Sequence, residues 1–130
     1  MTRAETLLAL AARCEAGTGP DRELDAEIMV AVYPDLKLAQ SINGHWYSIS
    51  GMHTRIEEYT DSLDAAVLLV PAGWFVRIAD IRFSMVLCEM LRGDKSFAGK
   101  VDAEGLGGTR PRALTAAALR ARAAEAGNER

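Results

Sequence analysis

Glycine residues ahead of a helix form the clearest chemical motif in this chain. Gly105, Gly107 and Gly108 precede a predicted helix whose first turn carries Arg110 and Arg112. Unpaired N–H groups and the dipole of a helix N-terminus favour an anion, and two guanidinium groups would add to that attraction. The spacing fits neither G-x-x-x-x-G-K-S/T nor G-x-G-x-x-G, so a plain strand-to-helix connection explains the same residues. The chain offers less elsewhere. His45 and His53 are its 2 histidines, with no H-x-x-x-H spacing, and Ser48 and Ser50 are not set in a nucleophile elbow. Cys14 and Cys88 stand 74 positions apart with no C-x-x-C pattern, which makes neither a disulfide framework nor a zinc site. The expectation is a protein with no catalytic residue, no metal and no cofactor, its thiols reduced in a cytoplasmic setting.

Two further groups suit binding. Glu57 and Glu58 open an acidic run that continues through Asp61 and Asp64 into a predicted helix. Carboxylates there either complement the helix dipole, at about 0.3–1 kcal/mol each, or form a docking surface for a basic partner. Trp46 and Tyr47 are adjacent aromatics that serve as binding anchors if exposed and as core if buried.

Charge separates these possibilities. Of 130 residues, 15 are basic and 18 acidic, a net charge of −3. Residues 1–70 carry 5 basic and 11 acidic groups, a balance of −6; residues 71–130 carry 10 and 7, a balance of +3. No global basic field attracts nucleic acid. Nucleic-acid binding through Gly107, Gly108, Arg110 and Arg112 is therefore the alternative reading. It draws on a helix–three strands–helix order shared with double-stranded RNA-binding domains, although no lysine cluster follows the arginines.

The elements that must position these groups are an N-terminal helical hairpin, a middle segment that reads as a loop or a β-hairpin, and an α–β core. At 49% apolar, the chain suits one globular unit. Residues 2–16 read as a helix, with Thr2 and Glu5 forming a T-x-x-E capping box. Leu7, Leu10, Ala11 and Cys14 supply its stripe. A second helix runs from a cap at Thr18 or Asp21 to Tyr33, with Leu24, Ile28, Ala31 and Val32 inward and Pro34 as its stop. These two helices make up residues 1–35. Residues 36–58 are either a β-hairpin closed by Asn43-Gly44, with 45–49 as its second strand, or a long loop. Residues 59–127 form the core. A helix capped by Asp61 or Ser62 presents Leu63, Ala66, Val67 and Val70. Strands follow around 74–79 and 83–88, and a weaker run at 97–103 reads as a third. A final helix capped by Thr109 points Leu114, Ala117, Ala118 and Ala121 inward. The longest apolar-leaning run, residues 65–76, has 12 positions broken by Pro71 and Gly73; the roughly 20 needed to span a bilayer are not there. Arg13 before Cys14 and Glu5 near the start argue against a signal peptide. The fold class expected is α+β, an α/β sandwich with helices packed on a small antiparallel sheet plus the N-terminal hairpin. A sheet face carrying Phe75, Phe83 and Met85 offers a surface for a second copy.

Three stretches carry a family resemblance. They are Tyr59-Thr60-Asp61-Ser62-Leu63-Asp64-Ala65-Ala66, then Leu69-Val70-Pro71-Ala72-Gly73-Trp74, then Thr109-Arg110-Pro111-Arg112-Ala113-Leu114 with the alanine-rich helix that follows. Together with Thr18-Gly19-Pro20-Asp21-Arg22-Glu23-Leu24-Asp25, they resemble the phage ABA sandwich domain of small phage and prophage proteins. The resemblance covers about residues 18–34 and 59–123 in patches. It implies an α/β sandwich and a phage or prophage origin, and it brings no catalytic or ligand-binding residue with it. The function expected is a non-enzymatic phage or prophage accessory protein that binds a host or phage protein in the host cytoplasm. Inhibition of a host defence complex is one such role.

Overall fold

The computed structural model describes residues 2–33, 38–42, 45–48, 53–54, 56–82, 85–92 and 101–128. Helices α1 (Arg3–Ala16) and α2 (Arg22–Val32) come first, followed by strands β1 (Leu38–Ile42), β2 (His45–Ser48) and β3 (His53–Thr54). Then come α3 (Leu63–Val67), β4 (Trp74–Arg82), β5 (Met85–Arg92), β6 (Ala103–Gly107) and α4 (Arg110–Asn128). The fold is α+β. Among the described residues the strands form two antiparallel sheets, ordered β1-β2-β3 and β4-β5-β6.

Local chemistry sets the helix starts. The Thr2 hydroxyl accepts the Glu5 N–H, the Asp21 carboxylate that of Leu24, and the Ser62 hydroxyl that of Ala65. Each satisfies an orphan donor of a first turn. The α1 stripe of Leu7, Leu10, Ala11 and Cys14 is buried as its spacing predicts. Exposed Arg13 and Glu27, 2.6 Å apart, bridge α1 to α2 in the expected helical hairpin.

Helix α4 is the centre of the molecule. It packs on β5 and β6, on α1 and on α3. Every residue from Arg112 through Leu119 is buried, so the helix is enclosed on all sides rather than along the single stripe expected. Five alanines along this helix (Ala113, Ala116, Ala117, Ala118 and Ala121, all 0% exposed) keep its cylinder thin enough for close neighbours on several faces. Trp74 ties the far edge in: its Nε1–H donates to Glu125 at 2.8 Å, and the Arg92 guanidinium lies 4.9 Å from its ring centroid.

The covered face of the β4–β5–β6 sheet carries Trp74, Val76 and Ile78 beside Val86, Cys88 and Met90, in the register Val76↔Met90 and Ile78↔Cys88. Two expectations need correction. The third strand expected over 97–103 is found at Ala103–Gly107, which takes up Gly105 and Gly107 and leaves 101–102 outside it; residues 97–100 lie outside the described residues. In α3, Val67 points outward at 53% exposure, and Ala65 and Leu69 are buried instead. The helix is only 5 residues long. It continues as turns with i→i+3 bonds, Leu69 N–H to the Ala66 carbonyl and Val70 N–H to that of Val67. A tighter winding shifts which side chains share a face.

Candidate functional site

In the middle segment, β1 and β2 pair antiparallel with Ile42 opposite His45, so the hairpin reading holds over the long loop. The turn residues Asn43 and Gly44 lie outside the described residues. Trp46 and Tyr47 sit on the central strand of this sheet. Trp46 registers with Ser41 and Thr54, and Tyr47 with Gln40 and His53.

Glu57 and Glu58 occupy the approach to α3. With Ser62 and Asp64 they rim a groove of about 230 Å³ over Ala65 and Leu68. Leu68 is 54% exposed, as is its neighbour Val67 at nearly the same level. Three carboxylates around an aliphatic floor can take a segment that alternates basic and apolar side chains. The segment that leads into α3 beside this groove is held by a buried polar clasp that sequence reasoning missed. Asp25, fully buried on α2, accepts the Thr60 N–H at 2.9 Å and an Arg22 N–H at 3.0 Å. Arg22 also donates to the carbonyls of Ile56 and Glu57. The Thr60 hydroxyl accepts the Asp21 N–H at 2.8 Å, and the Thr115 hydroxyl donates to the Tyr59 carbonyl at 2.9 Å. Burial pushes the Asp25 carboxyl above its ordinary range, opposed by the bonds from Thr60 and the charge of Arg22. Burial likewise raises the Tyr59 phenol. A signal was present: Asp25 lies one position from Leu24 in a helix whose exposed acids, Glu23 and Glu27, follow a different phase.

The glycine–arginine motif is taken apart by the structure. A Cβ on Gly105 would lie 2.3 Å from the Ala113 carbonyl oxygen, and one on Gly107 would lie 2.9 Å from the Ala113 nitrogen. These glycines let β6 approach the backbone of α4; they do not line an open cradle. Gly108 is half-buried between strand and helix. Arg110 is exposed but forms a two-pronged pair with Asp80 at 3.2 and 2.6 Å, which raises its own pKa and lowers that of Asp80. Arg112 is 2% exposed. Its guanidinium donates to the carbonyls of Gly19 at 2.8 Å and Cys14 at 3.2 Å, with a longer contact of 3.5 Å to Arg13. The four residues thus do not form an anion site: two are packing glycines or linkers beside them, one arginine is neutralised and the other is interior. Farther along α4, Arg120 pairs with Glu15 on α1 and Arg122 donates to the Leu69 carbonyl at 2.6 Å, so the two point to different sides.

Both thiols are buried in the core, and burial pushes Cys14 and Cys88 each up to about 12. Thiols held protonated are poor nucleophiles and poor metal ligands. Among the described residues no three histidine, cysteine or acidic side chains converge as a metal site would require, and no helix is long and apolar enough to cross a membrane. No family model matches the chain, and no curated protein or solved structure matches it.

Proposed function

We propose that this protein acts by binding another protein rather than by catalysis, as a phage or prophage accessory factor in the host cytoplasm. Inhibition of a host defence complex is one form that such binding takes. The observation that carries this reading is the groove beside α3, where Glu57, Glu58 and Asp64 surround Leu68 and Ala65. Its chemistry suits a partner segment with lysine or arginine flanking an aliphatic residue. The phage ABA sandwich resemblance supports the origin, and the interior placement of Arg112 argues for a protein partner over nucleic acid.

The test compares the wild type with Glu57→Lys/Glu58→Lys as bait in host lysate. The wild type retains a stoichiometric protein that the variant loses, and raising the salt weakens that retention because the carboxylates are at the surface. Both baits must melt alike. A partner held equally by both baits, or none held by the wild type, overturns the reading. A second variant, Trp46→Ala/Tyr47→Ala, asks whether the β1–β2–β3 sheet contributes to the same interface.

A further inference from the structure

The edge of a β-sheet invites pairing, because alternate residues present N–H and C=O groups with no strand beside them. In the sheet β4-β5-β6, strand β6 lies at one end. Its residues 104 and 106 nevertheless meet side chains from two helices. Glu15, in the last turn of α1, accepts the Leu106 N–H on Oε2 at 2.7 Å. Arg120, on α4, donates from Nη1 to the Glu104 carbonyl at 2.9 Å. The two side chains also clamp one another, Nη1 on Oε2 and Nη2 on Oε1, both at 2.6 Å. The carbonyl of residue 104 and the N–H of residue 106 are the pair that one residue of a parallel neighbour would engage, through its own N–H and C=O. The guanidinium stands where that N–H would be, and the carboxylate where that C=O would be.

We infer that the Glu15–Arg120 pair is an edge guard, which mimics one residue of an added strand and so keeps β6 from pairing with β6 of a second copy. The second copy is the fitting occupant because the edge is self-complementary. Antiparallel pairing centred on Gly105 sets Glu104 of one copy opposite Leu106 of the other, and it draws on the same backbone groups that the guard now occupies. Glu15 and Arg120, with Leu87, Glu104 and Leu106, line a groove of about 610 Å³ at this edge, beside the end of α1. Leu106, 39% exposed, would gain cover from such pairing.

Light scattering from micromolar to millimolar protein tests the guard with two double variants. Glu15→Ala/Arg120→Ala removes both mimicking groups, and its mass rises with concentration toward about twice that of the wild type. Glu15→Arg/Arg120→Glu keeps an ion pair but places a donor against the Leu106 N–H and an acceptor against the Glu104 carbonyl, so it associates as well. If the swapped variant keeps the wild-type mass while the alanine variant associates, the pair acts through charge alone and the inference fails. It fails too if both variants are folded by circular dichroism and neither gains mass. Amide exchange on the wild type supplies a check that no variant can spoil. The Leu106 N–H must exchange as slowly as amides within the β5–β6 ladder, and rapid exchange would show that Glu15 does not hold it.

Discussion

At residue scale, Arg112 illustrates how address decides meaning. Beside an α-helix N-terminus, arginine suggests an anion; here the side chain runs inward and its N–H groups meet carbonyls of Cys14, Arg13 and Gly19 around the end of α1. The C-terminal carbonyls of a helix have no intrahelical partner and carry the negative end of its dipole, so a buried cation is stabilised there without a carboxylate. Arg112→Ala strands those buried carbonyls and leaves a void, and it should lower unfolding free energy by about 2–4 kcal/mol in urea titration. Arg112→Lys recovers little, because an ammonium lacks the planar fork that reaches several acceptors at once. A loss under about 0.5 kcal/mol for the alanine variant would show that the contacts are incidental. The inward path was partly legible: Arg112, Ala116, Leu119 and Ala123 follow helical spacing, and the last three are apolar. What the sequence lacked was any mark that α1, some hundred residues earlier, ends against this position.

At the scale of elements, caps and stripes were readable because they depend on neighbours within a few residues. Thr2, Asp21 and Ser62 cap as their types predict, and the α1 stripe is buried in full. The glycine-rich stretch was misread because two physical reasons for glycine look alike in one dimension: freedom to turn, and absence of a side chain where backbones touch. Gly105 belongs to the second kind, since an added Cβ would sit 2.3 Å from the Ala113 oxygen and 2.5 Å from the Ala117 nitrogen. Gly105→Ala must push β6 off α4, and it should destabilise by about 3 kcal/mol. Gly127→Ala is the contrast. Nothing lies within 4 Å of that added Cβ, and helix propensity alone predicts a gain of up to about 0.5–1 kcal/mol. Thermal melts of the two variants should therefore shift in opposite directions; equal shifts would contradict a strand–helix contact at Gly105.

At the scale of the whole molecule, two carboxylates tie distant segments together and respond to acid with opposite sign. Asp25 links α2 to the segment before α3, facing Arg22 on its own helix and Thr60 and Tyr59 opposite. Burial raises its pKa, so the folded protein holds a proton in a window above the ordinary aspartate value where the unfolded chain has lost it. Its contribution to stability is thus full below that value and declines as pH rises through the window. Glu15 links α1 to α4 and β6, facing Arg120, the Leu106 N–H and Glu104. Its pKa is lowered, chiefly by the Arg120 hydrogen bond. The contribution of Glu15 is full above the ordinary glutamate value and is lost as pH falls through the folded one. Unfolding titrations across the acid range on wild type, Asp25→Asn and Glu15→Gln separate the two. The stability difference between wild type and Asp25→Asn should shift against the wild type as pH rises through the Asp25 window. The difference between wild type and Glu15→Gln should shift in favour of the wild type as pH rises toward the ordinary glutamate range. Parallel pH dependence in the two comparisons would mean that one carboxylate is not in the environment described.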